Sequence, residues 1–179
     1  MFLGPFALSL DVAREVASLE YATVPIADKL PLDAVTITTE CQKQAALILH
    51  QPRSSDELAS MLEQAVRVAV VRTGQNPTHG ELRAELPAVY REMVYLQQLP
   101  SRPPTKASFR DYPLPRFVVE LKEFLQSDAN LASRKRIRLE TAVIDNTRNR
   151  KKSVFVPNDV RKGYGEGMYF QALVMLGQG

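Results

Sequence analysis

The sequence predicts an α+β fold, with a mainly helical N-terminal body over residues 1–129 followed by a C-terminal part that contains a basic β-hairpin. Three observations lead there. Before residue 127 apolar side chains recur mostly at helical spacing, whereas alternation with period two takes over after residue 130. Ten of the 23 Lys and Arg residues fall between 130 and 162 against three acids, a net charge of +7 within a chain whose total is +3.

Taken in order, the first helix is expected after Ser9 or Asp11, where Val12, Val16 and Leu19 stand at helical spacing. Pro25 and Pro31 bracket a loop, and the β-rich run Ala34-Val35-Thr36-Ile37-Thr38 reads as a brief strand. Thr39 with Gln42 makes a capping box for a helix that carries Cys41, Ala45, Ile48 and Leu49 and stops near His50 and Pro52. The firmest helix starts after Ser54, with Glu57 three residues on, and ends at Gly74. Thr78 and Glu81 form a further capping box before Leu82, Leu86, Val89, Met93 and Leu96, a stripe that Pro87 should kink or split.

Five prolines between Leu99 and Pro115 mark an extended connection. It separates a body of residues 1–98 from a region 116–179, unless the two form one continuous domain. Pro115 opens a helix whose face is Phe117, Val118, Leu121, Phe124 and Leu125. Beyond it Ile137, Leu139, Thr141 and Val143 alternate with Arg136, Arg138, Glu140 and Ala142, and Ser153-Val154-Phe155-Val156 follows a turn-like stretch. Residues 136–156 therefore read as a hairpin with a basic tip. The run from Met168 to Leu176 fits a strand or a helix equally well.

With 179 residues, 45% hydrophobic and 24% charged, the chain has the composition of a globular protein with a core of its own. One cysteine, Cys41, excludes an internal disulfide and any multi-cysteine metal centre, so a reducing, cytoplasmic setting is expected. No stretch reaches the roughly 20 apolar residues that cross a bilayer, so no membrane partner is expected.

The charge distribution carries the functional expectation. Concentrated positive charge meets anions, most often a phosphate backbone. Arg134, Lys135, Arg136 and Arg138, then Arg148, Arg150, Lys151 and Lys152, then Arg161 and Lys162 are the expected contacts to DNA or RNA, with Tyr164 or Tyr169 stacking on bases. The alternatives are an acidic protein surface, as in a structural or assembly component of a virion or secretion apparatus, and a hairpin whose charges only protect an edge strand. A homo-oligomer stays open.

Two weaker patterns stand beside the hairpin. Lys162-Gly163-Tyr164-Gly165 with Tyr169 fits the aromatic RNA-binding strand of RRM domains, but Glu166 and Gly167 replace an aromatic and a valine, and the element order is not that of the family. The glycines also read as a plain turn. Residues 78–96 have helix-turn-helix spacing, with Tyr90, Arg91 and Tyr95 toward the groove, or else form a kinked core helix. Enzyme signatures are sparse: His50 and His79 lack partners at ligand spacing, Cys41 sits on an apolar stripe, and Asp56, Glu57, Glu63 and Asp111 read as surface charge. A non-enzymatic protein without cofactor or metal is expected.

Overall fold

The computed structural model describes residues 1–49, 53–74, 80–98, 110–132, 137–149 and 151–176. In chain order the elements are strands β1 (Phe2–Leu3), β2 (Phe6–Asp11), β3 (Val16–Tyr21) and β4 (Val24–Pro31), helices α1 (Ala34–Ile48) and α2 (Ser55–Thr73), strand β5 (Glu81–Glu85), and helices α3 (Leu86–Gln97), α4 (Leu114–Gln126) and α5 (Asp128–Ala132). Strand β6 (Ile137–Thr141), the single turn α6 (Ile144–Thr147), β7 (Val154–Pro157) and β8 (Gly167–Leu176) complete the chain. They divide into two units, one of Met1–Pro52, Pro113–Val119 and Phe155–Met168, the other of Arg53–Tyr112, Glu120–Val154 and Tyr169–Gly179.

The first unit corrects the expected helical N-terminus. Residues 2–31 form an antiparallel sheet in the order β1-β2-β3-β4, and no helix follows Ser9 or Asp11. Val12, Val16 and Leu19 do match helical spacing, but Ala17, Leu19 and Tyr21 match period two as well. The partners decide: β3 pairs on both sides, from Ala7↔Glu20 to Asp11↔Val16 and from Val16↔Pro31 to Tyr21↔Val24. Alternation then puts Phe6, Leu8, Ala17, Leu19 and Tyr21 on one buried face. Pro25 and Pro31 are accommodated because β4 is an edge strand of the sheet.

Helix α1 replaces the expected strand at 34–38. The β-branched run that begins at Val35 favours a strand locally, but Asp33 caps a helix instead, its carboxylate accepting from the Thr36 N–H and hydroxyl, each at 2.7 Å. Ile37, Cys41 and Ile48 close the core of this unit with Phe6, Leu19, Tyr21 and Val119. Burial on that scale outweighs a propensity difference of a few tenths of a kcal/mol per residue.

In the second unit α2 meets the expectation, capped by the Ser54 hydroxyl on the Glu57 N–H and closed by Gly74 in the left-handed region at φ 65°. Its buried stripe of Leu58, Leu62, Ala65, Val66, Ala69 and Val70 packs on α3 and β5. Residues 81–85 are strand, so the helix-turn-helix reading is withdrawn: no first helix precedes Pro87, which lies in the first turn of α3 and opens that helix rather than kinking it. Thr78 and most of the proline-rich connection, 99–109, lie outside the described residues. Helix α4 carries Pro115 in its first turn and buries Phe117, Val118, Val119, Leu121 and Phe124.

The basic hairpin is also corrected. Strand β6 pairs with β8, from Ile137↔Met175 to Thr141↔Phe170, and β7 pairs with β8 as well, so β6 and β7 are not partners. The last apolar run supplies the strand that both need. Strand β8 lies between β5 and β6 with Leu173 and Met175 buried, and Ala84 of β5 and Ile137 of β6, their register partners, are buried beside them on the same face. Among the described residues no helix is long and apolar enough to cross a membrane.

Candidate functional site

On the opposite face of the second unit's sheet, Glu81, Arg83 and Glu85 of β5 and Arg138 and Glu140 of β6 flank Ala172 and Val174 of β8. Arg83 reaches across β8 to Glu140 with two hydrogen bonds, of 2.8 and 2.9 Å, and Arg138 reaches the other way to Glu81 at 3.4 Å. Beneath this pair of bridges Ala172 and Val174 are buried although they face outward. Arg83 first of all, and then Gln171, hold the Glu140 carboxyl at about 2, below its ordinary 4.5.

A register shift between Glu140 and Thr141 makes this network a mount for the next segment. Gln171 donates to Glu140 at 2.6 Å and accepts through Oε1 from the Asn146 amide at 2.9 Å and the Val143 N–H at 3.3 Å. The turn that follows is closed on itself. The Asn149 carbonyl accepts from the Lys152 and Ser153 N–H groups, its side chain accepts from Lys151 N–H at 3.0 Å, and the Ser153 hydroxyl donates to the Asn146 carbonyl at 2.7 Å. Arg148, Lys151 and Lys152 project from this frame exposed, and among the described residues none of the three has an acidic partner.

The remaining expected contacts are placed as follows. Arg138 is exposed but engaged with Glu81. Arg134, Lys135, Arg136 and Arg150 lie outside the described residues. Arg161, Lys162 and Tyr164 belong to the first unit, not to the unit that carries the basic turn. There Tyr164 stacks on Phe2, with ring centres 3.8 Å apart and planes at 15°. Tyr169 sits in β8, where its carbonyl accepts from the Ala142 N–H at 2.8 Å.

Sequence reading missed two features. One is Gln171 as the link between the ion pairs and the basic turn; a polar residue inside the apolar run of β8 was the available signal. The other is the buried group of Arg53, Tyr112 and Glu120, in which Glu120 Oε2 accepts from Arg53 Nη1 at 2.7 Å and from the Tyr112 hydroxyl at 2.6 Å. Burial and then the Glu120 carboxylate push the Tyr112 phenol far above its ordinary range, so it remains a donor. An acid within the apolar run Phe117-Val118-Val119-Glu120-Leu121 was the signal for it.

For catalysis the described residues offer little. Burial first, and Glu40 second, push the Cys41 thiol up, which disfavours a thiolate. Among the described residues no group of three or more His, Cys, Asp or Glu side chains is placed to hold a metal, and His50 and His79 lie outside them. Comparison with protein-family models, curated proteins and solved structures gives no match to this chain.

Proposed function

We propose that this protein is a non-enzymatic nucleic-acid-binding protein whose phosphate contacts come from the basic turn. The observation that carries the reading is the contrast within one 15-residue stretch: Arg138 is paired with Glu81, whereas Arg148, Lys151 and Lys152 are exposed on a hydrogen-bonded frame with no acid against them among the described residues. Unneutralised cations on a rigid mount attract a polyanion at little ordering cost. In the sequence Arg150 stands between Arg148 and Lys151, and Arg134, Lys135 and Arg136 precede Arg138, which raises the net positive charge of this stretch.

Anisotropy titrations with labelled DNA and RNA at rising salt test this. Binding should weaken with a slope of about −0.9 per phosphate neutralised on duplex DNA, and reversing Arg148, Lys151 and Lys152 to Glu should lower that slope by about three. No binding at low salt, or binding unchanged by the reversal, overturns the reading. Equal binding to polyglutamate would assign the turn to an acidic protein instead.

A further inference from the structure

A recess of about 200 Å³ opens in the first unit where Phe2, Ala7 and Glu20, on the face of the sheet opposite Leu8 and Leu19, meet the segment that carries Gly163 and Tyr164. Strand register builds it: Phe2 lies opposite Ala7, and Ala7 opposite Glu20, so three adjacent strands present these side chains in one row on one face. The Ala7 methyl leaves a gap between a ring and a carboxylate whose strands are about 10 Å apart. Ala22, Thr23, Phe155 and Tyr164 complete the lining, with Gly163 and Gly165. The volume is below the roughly 300 to 1,000 Å³ of sites for drug-sized ligands and suits one ring system.

The walls are held in place. The Gly163 carbonyl accepts from the Ala22 N–H at 2.7 Å, its N–H donates to the Pro5 carbonyl at 3.1 Å, and the Tyr21 hydroxyl donates to the Val160 carbonyl at 2.6 Å. A Cβ at Gly163 would stand 2.3 Å from the Tyr21 ring, so the close approach that positions Tyr164 requires glycine. The Phe2–Tyr164 stack is thus a preformed platform, and Phe2 is still 61% exposed. The Glu20 side chain is half-buried, and its carboxylate makes no hydrogen bond or ion pair among the described residues. Arg161 and Lys162 stand exposed immediately before Gly163.

We infer that this recess binds a guanine base of a single-stranded nucleic acid. An ionised carboxylate only accepts hydrogen bonds, and two neighbouring donors satisfy it best. The pairing edge of guanine presents N1–H and N2–H side by side, whereas on adenine, cytosine and uracil each donor lies next to an acceptor that a carboxylate repels. That edge is free only in a single strand, where a base can also stack on an aromatic ring. Arg161 and Lys162 then face the phosphates beside the bound nucleotide. The inference rests on the nucleic-acid reading above and adds to it a base preference in a different unit from the basic turn.

The test uses the full chain and labelled hexauridylate RNAs in which one internal base is G, A, C or U, with arginine amide as a competing cation. The guanine strand should bind about tenfold more tightly than the others, since a site built around hydrogen-bonding groups discriminates against ligands that leave them unpaired. In Glu20→Gln the amide offers one donor and one acceptor, a pair that each of the four bases can match, so the guanine preference should be lost while folding is retained by circular dichroism. Phe2→Ala should weaken all four strands about tenfold through lost stacking. No binding by the wild type at low salt sinks the nucleic-acid reading and this one together. Binding that the basic-turn reversal abolishes, but that is equal for all four bases and indifferent to Glu20→Gln, overturns this inference alone. Saturable binding of arginine amide that Glu20→Gln abolishes, with no base preference, likewise overturns it and assigns the recess to a cationic side chain.

Discussion

Two sets of charges in the second unit behave in opposite ways. Around Glu120, Glu140 and Glu81 every cation is matched: Arg53 at 2.7 Å, Arg83 at 2.8 Å and Arg138 at 3.4 Å. On the turn after α6, Arg148, Lys151 and Lys152 face solvent alone among the described residues. In sequence all these cations look alike. The difference shows that a count of basic residues overstates the charge available to a partner, because strand pairing has spent Arg83 and Arg138 on internal acids.

The contrast is sharpened first at its most buried point. Glu120 is 2% exposed, so Glu120→Ala removes the close acid of the largely buried Arg53 guanidinium, leaving Glu57 at 3.7 Å, and takes away the carboxylate that accepts from the Tyr112 hydroxyl. A loss of about 3 to 5 kcal/mol is expected in denaturant unfolding, the largest of the series. Leu at position 120 combined with Met at 53 should recover much of it, since an apolar replacement of a whole buried pair is often neutral.

Next comes Glu140, whose carboxyl titrates at about 2 in the folded protein against 4.5 ordinarily. A depressed folded value means that the unfolded chain binds the proton first. The stabilisation is therefore fully present above about 4.5 and is lost as the pH falls toward about 2. Because Glu140 and Arg83 are both more than a third exposed, solvent screening limits the effect to about 1 kcal/mol. Stability measured from pH 6 to pH 2 should fall more for the wild type than for Glu140→Gln, and parallel curves would remove the network from the account.

Arg138→Ala should cost at most about 1 kcal/mol, as exposed pairs do, and should barely change nucleic-acid affinity. The smallest stability effect belongs to the free turn. Reversing Arg148, Lys151 and Lys152 should shift unfolding by no more than about 0.5 kcal/mol while removing most binding. A melting temperature that drops with the turn reversal, or affinity that drops as much with Arg138→Ala, breaks the division into paired and free cations.

Some helix boundaries are legible in the sequence and others are not: the capping box expected at Thr39 and Gln42 lies inside α1, which Asp33 caps, and Glu81 of the other lies in β5. Ser54 and Gly74 mark the two ends of α2, and Pro115 the start of α4, because caps and prolines act within a few residues. The N-terminal sheet was not legible, and its turns show why. Tight hairpin turns favour Asn and Gly, yet the β3–β4 turn uses Ala22 and Thr23 at φ 49° and 64°, and the β2–β3 turn places Glu15 at φ 54°. Without glycine at these points nothing local announces a hairpin. The Ala22 turn is supported from residue 163, through the hydrogen bond to the Gly163 carbonyl, a contact 141 positions away. Likewise Asp33 overrode the β-branched run after it, which a residue-by-residue propensity ranks the other way.

For the candidate site the division is similar. The concentration of cations between 130 and 162, the aromatic at 164 and the solitary cysteine follow from the order of residues alone, since they need no partner to be recognised. Which cations stay free, that β6 and β7 each join β8 rather than one another, and that Phe2, Glu20 and Tyr164 line one recess were decided by tertiary structure. The physical reason is common to all three: strand pairing and ion pairing join residues tens to more than a hundred positions apart, and such contacts leave no periodic trace in the chain.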